Sequence, residues 1–292
     1  MRKGNKQKKK KRWFSTALIC VLFATGLLIM FYPKLSNLYT RFELSQELVR
    51  YNQELSRKAA MPNTESAELE RAEEYNAYLL EKDMQLFANS EEREWARNLL
   101  NPLKNGVMGE IVIPRINVDL PIYQGTESQL QQGAGWWIGS SLPIGGESTH
   151  SIITAHTGLV KADFFTHLDQ LELGDLFMLK VYGREMYYQI DQIKVVLPDE
   201  LEELKIQPGH DYVTLYTCTP YGVNTHRLLV RGTRMEEISA SDRAEFEEKS
   251  YIWMMMAAAV CAALIIFLTI RNTRRHAQRD EIDLHDDLPE DE

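Results

Sequence analysis

Two stretches without a charge, Trp13 to Tyr32 (WFSTALICVLFATGLLIMFY) and Tyr251 to Ile270 (YIWMMMAAAVCAALIIFLTI), bracket most of this 292-residue chain. Each is long enough, as a helix, to cross a hydrocarbon core of about 30 Å. Both are therefore expected to be membrane spans. Eight of the first twelve residues are Lys or Arg, and Arg271, Arg274, Arg275 and Arg279 follow the second stretch. By the positive-inside rule the expectation is a multi-pass protein of the cell membrane, with both termini cytoplasmic and residues 33–250 outside. The alternative for the first stretch is a cleaved signal peptide, but no small-x-small site follows it in MFYPKLSN.

The segment between the stretches carries a net charge of about −13. That makes it a poor nucleic-acid binder, because phosphate contacts need basic patches. The acidic tail DEIDLHDDLPEDE reads as a solvated end. Of the three cysteines, Cys20 and Cys261 fall inside the apolar stretches, so the outer segment holds Cys218 alone and no disulfide within it is possible. A lone thiol in an oxidising compartment asks for a reason. A buried core cysteine is the bland one.

Composition divides the outer segment. From Leu35 to Leu100 there is no glycine, and apolar residues recur near helical spacing at Leu35, Leu38, Phe42, Val49, Leu69, Tyr75 and Leu79. Two or three amphipathic helices are expected, the last starting after Asn89 with Ser90 as its cap and Glu91 and Glu92 favoured by the helix dipole. From Gly106 the texture becomes short β-branched runs broken by Pro and Gly: VMGEIVIPRINVDLPIYQG, SIITA at 151–155, LFMLKVY at 176–182, MYYQIDQIKVVL at 186–197, YVTLYT at 212–217 and RLLVRGT at 227–233. Many short strands separated by turn signals predict a β-barrel or sandwich.

A cysteine nucleophile needs a partner for its proton and a donor for the oxyanion formed when it attacks a carbonyl. Five histidines lie in the outer segment: His150, His156, His167, His210 and His226. His156 follows a buried-strand pattern and precedes Gly158, a place where a strand end holds a side chain at a cleft. His167 and His210 read as ordinary surface residues, and position alone dismisses neither His150 nor His226. Arg227 opens the last strand nine residues after Cys218. If the two strands pair antiparallel, the loop TPYGVNTH brings Cys218 and Arg227 to the same end of the sheet, where a guanidinium serves as a fixed donor. A surface salt bridge is the plainer role for Arg227. Tyr216, Tyr221, Trp136 and Trp137 could line a cleft, although aromatic residues in a small barrel are more often packing.

These residues carry a resemblance. TLYTC at Thr214–Cys218, an arginine downstream and Thr-x-His-Thr-Gly at 154–158 resemble the signature of sortases in chain order, and the likeness runs from about Gly106 to Arg234. The helical extension, the two apolar stretches and NGVMGEIVIPRINVDLPIYQGT are similar to class C sortases, which polymerise pilins. The resemblance implies a mainly β fold, an eight-stranded sortase barrel with an N-terminal α-helical extension and two flanking transmembrane helices. The expected organisation is a basic cytoplasmic N-terminus at 1–12, a transmembrane helix at 13–32, the extension at 33–105, the barrel at 106–238, a juxtamembrane linker at 239–250, a second transmembrane helix at 251–270 and a cytoplasmic tail at 271–292.

By the same resemblance Cys218 is the nucleophile toward the Thr-Gly bond of an LPXTG-like sorting signal, His156 the acid and base, and Arg227 the donor to the substrate carbonyl or oxyanion. Thr217, Tyr216 and Tyr221 are implied to contact substrate, although alternation along a strand turns Thr217 away from Cys218. No metal or cofactor is called for. The implied partners are pilin or surface-protein substrates bearing such signals, and the cell membrane. The implied acceptor is a pilin lysine; a cell-wall precursor amine, as in housekeeping-type sortases, is the alternative, and a degenerate scaffold module is the alternative from outside the enzymes. One feature of class C departs: LLEKDMQLFANSEEREWARNLLNP lacks the Asp-Pro-aromatic tripeptide of the usual lid, leaving Asp83 with Phe87, or Trp95, as substitutes.

Overall fold

The computed structural model describes residues 3–60, 64–82, 88–159, 161–246 and residue 262. The chain divides into two compact units, Met1–Glu237 and Ile238–Glu292. In the second, residues 240–246 are helical, and the Ser239 hydroxyl caps the turn by accepting from the Asp242 N–H at 3.1 Å.

The first unit is a closed eight-stranded barrel preceded by helices. Its strands are β1 (Val107–Ile113), β2 (Val118–Tyr123), β3 (Ala134–Trp136), β4 (Thr149–Thr154), β5 (Leu176–Val181), β6 (Arg184–Val196), β7 (Asp211–Thr219) and β8 (His226–Arg234). They close in the order β1-β2-β3-β4-β7-β8-β6-β5, with β2/β3 and β4/β7 parallel and the other pairs antiparallel. The mainly β barrel expected from the strand pattern is present. Pro121 sits inside β2 without harm because β3 pairs only with Ile122 and Tyr123 beyond it. The interior is filled by Ile111, Ile113, Ile122, Trp136, Phe165, Phe177 and Tyr188, all less than 2% exposed.

Three helices precede the barrel: α1 (Lys3–Ala59), α2 (Thr64–Glu81) and α3 (Ser90–Arg97). The face that α1 buries is not the one the sequence pattern suggested. Leu35, Leu38, Phe42 and Val49 are exposed, whereas Leu44, Leu48 and Tyr51 are buried. The hydroxyl of Tyr51 decides this, because it donates to the Met108 carbonyl at 2.7 Å and accepts from the Tyr182 N–H at 3.1 Å, joining α1 to β1 and to the turn between β5 and β6. On α2 the buried residues Leu69, Ala72, Tyr75 and Leu79 keep helical spacing. Asn76 on the same helix exchanges two hydrogen bonds with the backbone of Leu142. The cap of α3 is Asn89 rather than Ser90: its side chain accepts from the Glu92 N–H at 2.9 Å while Glu92 accepts from the Asn89 N–H at 2.8 Å. An amide oxygen one residue earlier closes this reciprocal box, and Ser90 becomes the first helical residue.

The expected flanking transmembrane helices, and with them the multi-pass location in the cell membrane, are corrected. Among the described residues no helix is long and apolar enough to cross a membrane. Trp13–Tyr32 is not an element of its own: it is part of the 57-residue α1, which runs through Pro33 from a lysine-rich start into a segment rich in Glu and Arg. An uncharged run of the right length is a condition for a span and does not by itself make one. The second stretch, 251–270, and the tail, 271–292, lie outside the described residues except for residue 262.

Candidate active site

The site lies on the outer face of the wall formed by β4, β7 and β8. Alternation along β7 sends Val213, Leu215 and Thr217 inward and leaves Tyr216 and Cys218 on the outer face, half-buried. Cys218 is a free thiol. It is directly opposite Arg227 in the antiparallel β7/β8 register, so the two side chains share the outer face. The Arg227 Nη1 donates to the carbonyls of Asn224 at 3.1 Å and His226 at 3.0 Å, which holds the guanidinium at the mouth of the β7–β8 loop.

His156 reaches the same place from β4. That strand runs parallel to β7, with Thr154 beside Tyr216, and the alignment continues past its end: the Ala155 N–H donates to the Tyr216 carbonyl at 3.2 Å. Continuing that register two residues past Thr154 and Tyr216 would set His156 alongside Cys218. Thr217 turns into the barrel, 3% exposed, and its hydroxyl donates to the Ala155 carbonyl at 2.7 Å. It is thus a clamp on the residue before His156 and does not face the outer surface. Replacing Thr217 by valine keeps the shape and removes the donor, leaving a buried carbonyl unpaired. The expected outcome is a loss of about 1–2 kcal/mol in urea unfolding, with a fall in turnover from a looser His156.

Tyr216 sets its ring edge against Trp137, 5.3 Å between centroids at 83°. Burial pushes its hydroxyl up from the ordinary tyrosine range; the neighbouring Arg227 guanidinium opposes this and Cys218 adds to it. Together with Trp137, Val196 and Leu201 it covers buried Ile152, Leu204 and Leu229, an apolar shelf beside the thiol. Tyr221 is 68% exposed at the tip of the β7–β8 loop. Its ring lies over Gly158, where a φ of +76° and a ring atom 3.2 Å from any added Cβ both call for glycine. The loop tip therefore closes over the turn that follows His156.

The other histidines separate. His150 is 1% exposed and fixed between the Lys205 carbonyl and the Thr214 hydroxyl. His210 stacks on Tyr212, His167 pairs with Gln170, and His226 pairs with the Thr225 hydroxyl at the start of β8. Trp136 is core, and Trp95 sets its edge against Tyr75 and Tyr78 of α2. Asp83 and Phe87 lie outside the described residues. Sequence reasoning missed Gln131, whose amide nitrogen is 3.2 Å from the His156 Nε2. It also missed the part that α1 plays here, where Asn37 bonds Asp163 and the Thr40 hydroxyl donates to the Lys161 carbonyl, steadying the segment after His156.

Comparison with known proteins bears on this arrangement. A family model described as the sortase domain matches residues 111–235. The solved structure of sortase C1 from Streptococcus agalactiae is 44% identical, and the match covers 66% of this chain and 100% of that one with a TM-score of 0.64. The chain belongs to the sortase family. Sortase C-1 from Actinomyces oris is also 44% identical, with 60% of this chain and 100% of that one covered at a TM-score of 0.55, so the sortase is one of class C. Among curated proteins, sortase D of Bacillus subtilis (strain 168) is 28% identical over 151 residues, 50% of this chain and 73% of that protein. As an enzyme, the sortase is a transpeptidase.

Proposed function

We propose that this sortase cleaves an LPXTG-like sorting signal between Thr and Gly and joins the new carboxyl end to a pilin lysine, building a covalent pilus. The observation that carries the reading is the cross-strand pairing of Cys218 with Arg227; the parallel β4/β7 register, extended past Thr154, supports His156 as the third member. The Cys218 thiolate attacks the threonine carbonyl carbon, and the Arg227 guanidinium, with five N–H donors, stabilises the oxyanion. The C–N bond breaks as His156 protonates the departing glycine amine. The thioester is then attacked by a lysine ε-amine that gives its proton to His156; the new amide C–N bond forms, the C–S bond breaks and the thiolate returns. The apolar shelf of Trp137, Val196, Leu201 and Tyr216 suits the apolar residues of the signal.

The test offers the full chain an LPXTG-type peptide with either a pilin-derived lysine peptide or a glycine-ended cell-wall stem peptide as acceptor, read by mass spectrometry. An isopeptide product with the lysine acceptor supports pilin polymerisation. Product with the stem peptide alone would assign the sortase to cell-wall attachment, and release of free acid alone would leave a hydrolase.

A further inference from the structure

An imidazole that takes and returns a proton at one nitrogen needs a partner at the other, because that partner fixes the ring rotation and the tautomer. For His156 the structure supplies one from a different part of the chain. Gln131 is the residue that ends the short helix α4 (Glu127–Leu130), and its backbone N–H is held by the Gln129 carbonyl. The helix is fixed at its start by a reciprocal box between Thr126 and Gln129, and Gln129 also donates to the Asn105 carbonyl at 3.2 Å. From this anchored turn the Gln131 amide reaches the His156 Nε2 at 3.2 Å.

We infer that Gln131 is a positioning residue for His156, and that its neutral amide is suited to a histidine that alternates between two protonation states. The inference rests on the acid-base role proposed above. With the amide turned so that its oxygen faces the ring, it accepts from Nε2–H in the neutral imidazole and leaves the Nδ1 lone pair free to take the proton. When Nδ1 has taken it and the ring is an imidazolium, the same oxygen still accepts from Nε2–H. Either state keeps a hydrogen bond, so the contact orients the ring without favouring one charge. A carboxylate in the same place would favour the imidazolium and hold back the proton that the leaving amine needs. An apolar side chain would let the ring turn.

The experiment compares the full chain with Gln131→Ala and Gln131→Glu, following turnover of an LPXTG-type peptide against pH and the titration of the ¹⁵N-labelled His156 ring. Gln131→Ala is expected to lower kcat about tenfold with KM little changed. Gln131→Glu is expected to recover only part of that kcat, because it orients the ring but holds the proton more tightly, with the His156 titration and the matching limb of the pH profile moved up by about half to one unit. Gln131 is exposed, so both variants are expected to keep the wild-type melting temperature. A His156 titration that is the same in all three chains overturns the proposal, as does one that moves while turnover does not. A His156→Ala chain with undiminished turnover overturns the acid-base role and the proposal together; an inactive His156→Ala chain with an unshifted Gln131→Glu titration overturns the proposal alone.

Discussion

Cys218→Ala is expected to leave no detectable acyl adduct and to cut turnover of an LPXTG-type peptide by at least about 10⁴-fold, since no neighbouring group replaces the nucleophile. His156→Ala should cost nearly as much, because the leaving amine would have to depart unprotonated. Arg227 separates geometry from charge. Arg227→Lys keeps the charge opposite Cys218 but loses the fork that lets one guanidinium hold the Asn224 and His226 carbonyls while pointing at a developing oxyanion. A loss of about 10²–10³-fold in kcat is expected, the scale of removing an oxyanion donor. The three losses should be far from additive, because the residues act on one event. Intact mass after a short incubation reads the adduct, and alkylation of Cys218 in the His156 and Arg227 variants confirms that the thiol is still open. An adduct that persists in Cys218→Ala would move the nucleophile elsewhere, and since Cys218 is the only cysteine of the barrel the thioester chemistry would fall with it.

The part of this site that was legible in the sequence is the part made by neighbours in the chain. Cys218 and Arg227 face each other because a short loop joins two strands whose patterns are readable, so antiparallel pairing fixes their register. The inward turn of Thr217 follows from strand alternation, and the structure shows what it is for: a bond to Ala155. His156 reads as a strand end before a glycine, but which part of the wall that end approaches depends on β4 and β7 running parallel, with β5 and β6 between them in the chain. No local pattern encodes that crossover.

What stayed illegible depended on side chains meeting across elements. The apolar spacing of α1 offers more than one stripe, and the barrel takes the one containing Tyr51 because only there does a hydroxyl meet the Met108 carbonyl and the Tyr182 N–H. Gln131 sits in a polar turn that reads as surface. The capping pattern of Thr126 and Gln129 could have placed the turn, but it could not have shown where the next amide points. The uncharged stretch at 13–32 misled in the opposite sense, since a window of sequence was taken for an element when it belongs to a helix running on to Ala59.

His150 carries the other large expected effect, on stability rather than on rate. Its Nδ1 is 2.9 Å from the Lys205 carbonyl, which only accepts, so the proton is on Nδ1 and the Nε2 accepts from the Thr214 hydroxyl at 2.7 Å. Burial lowers its pKa to about 4, with the Lys205 bond opposing; Arg231, which pairs with Asp191 and lies over Tyr212, adds to the lowering, and Asp191 itself opposes. The unfolded chain takes up this proton near pH 6.5 and the folded one only near 4, so between those values the unfolded state binds more protons and stability drops as the pH is lowered. The loss through that window approaches about 3 kcal/mol. Glu110 on β1 acts in the reverse sense: burial and the adjacent Asp119 carboxylate raise its pKa to about 7, so it favours the folded state as the pH drops from 7 toward 4.5. Urea unfolding of Glu110→Gln at pH 7 and at pH 4.5 removes that compensation and should expose the full acid loss, which adding His150→Gln should largely abolish. An equal fall in both chains would mean that His150 is protonated without cost in the fold. If the loss does track His150, the parallel seam of β4 and β7 is the part it loosens, and that seam carries at its ends both the chain that leads into His156 and the Tyr216 carbonyl that holds it.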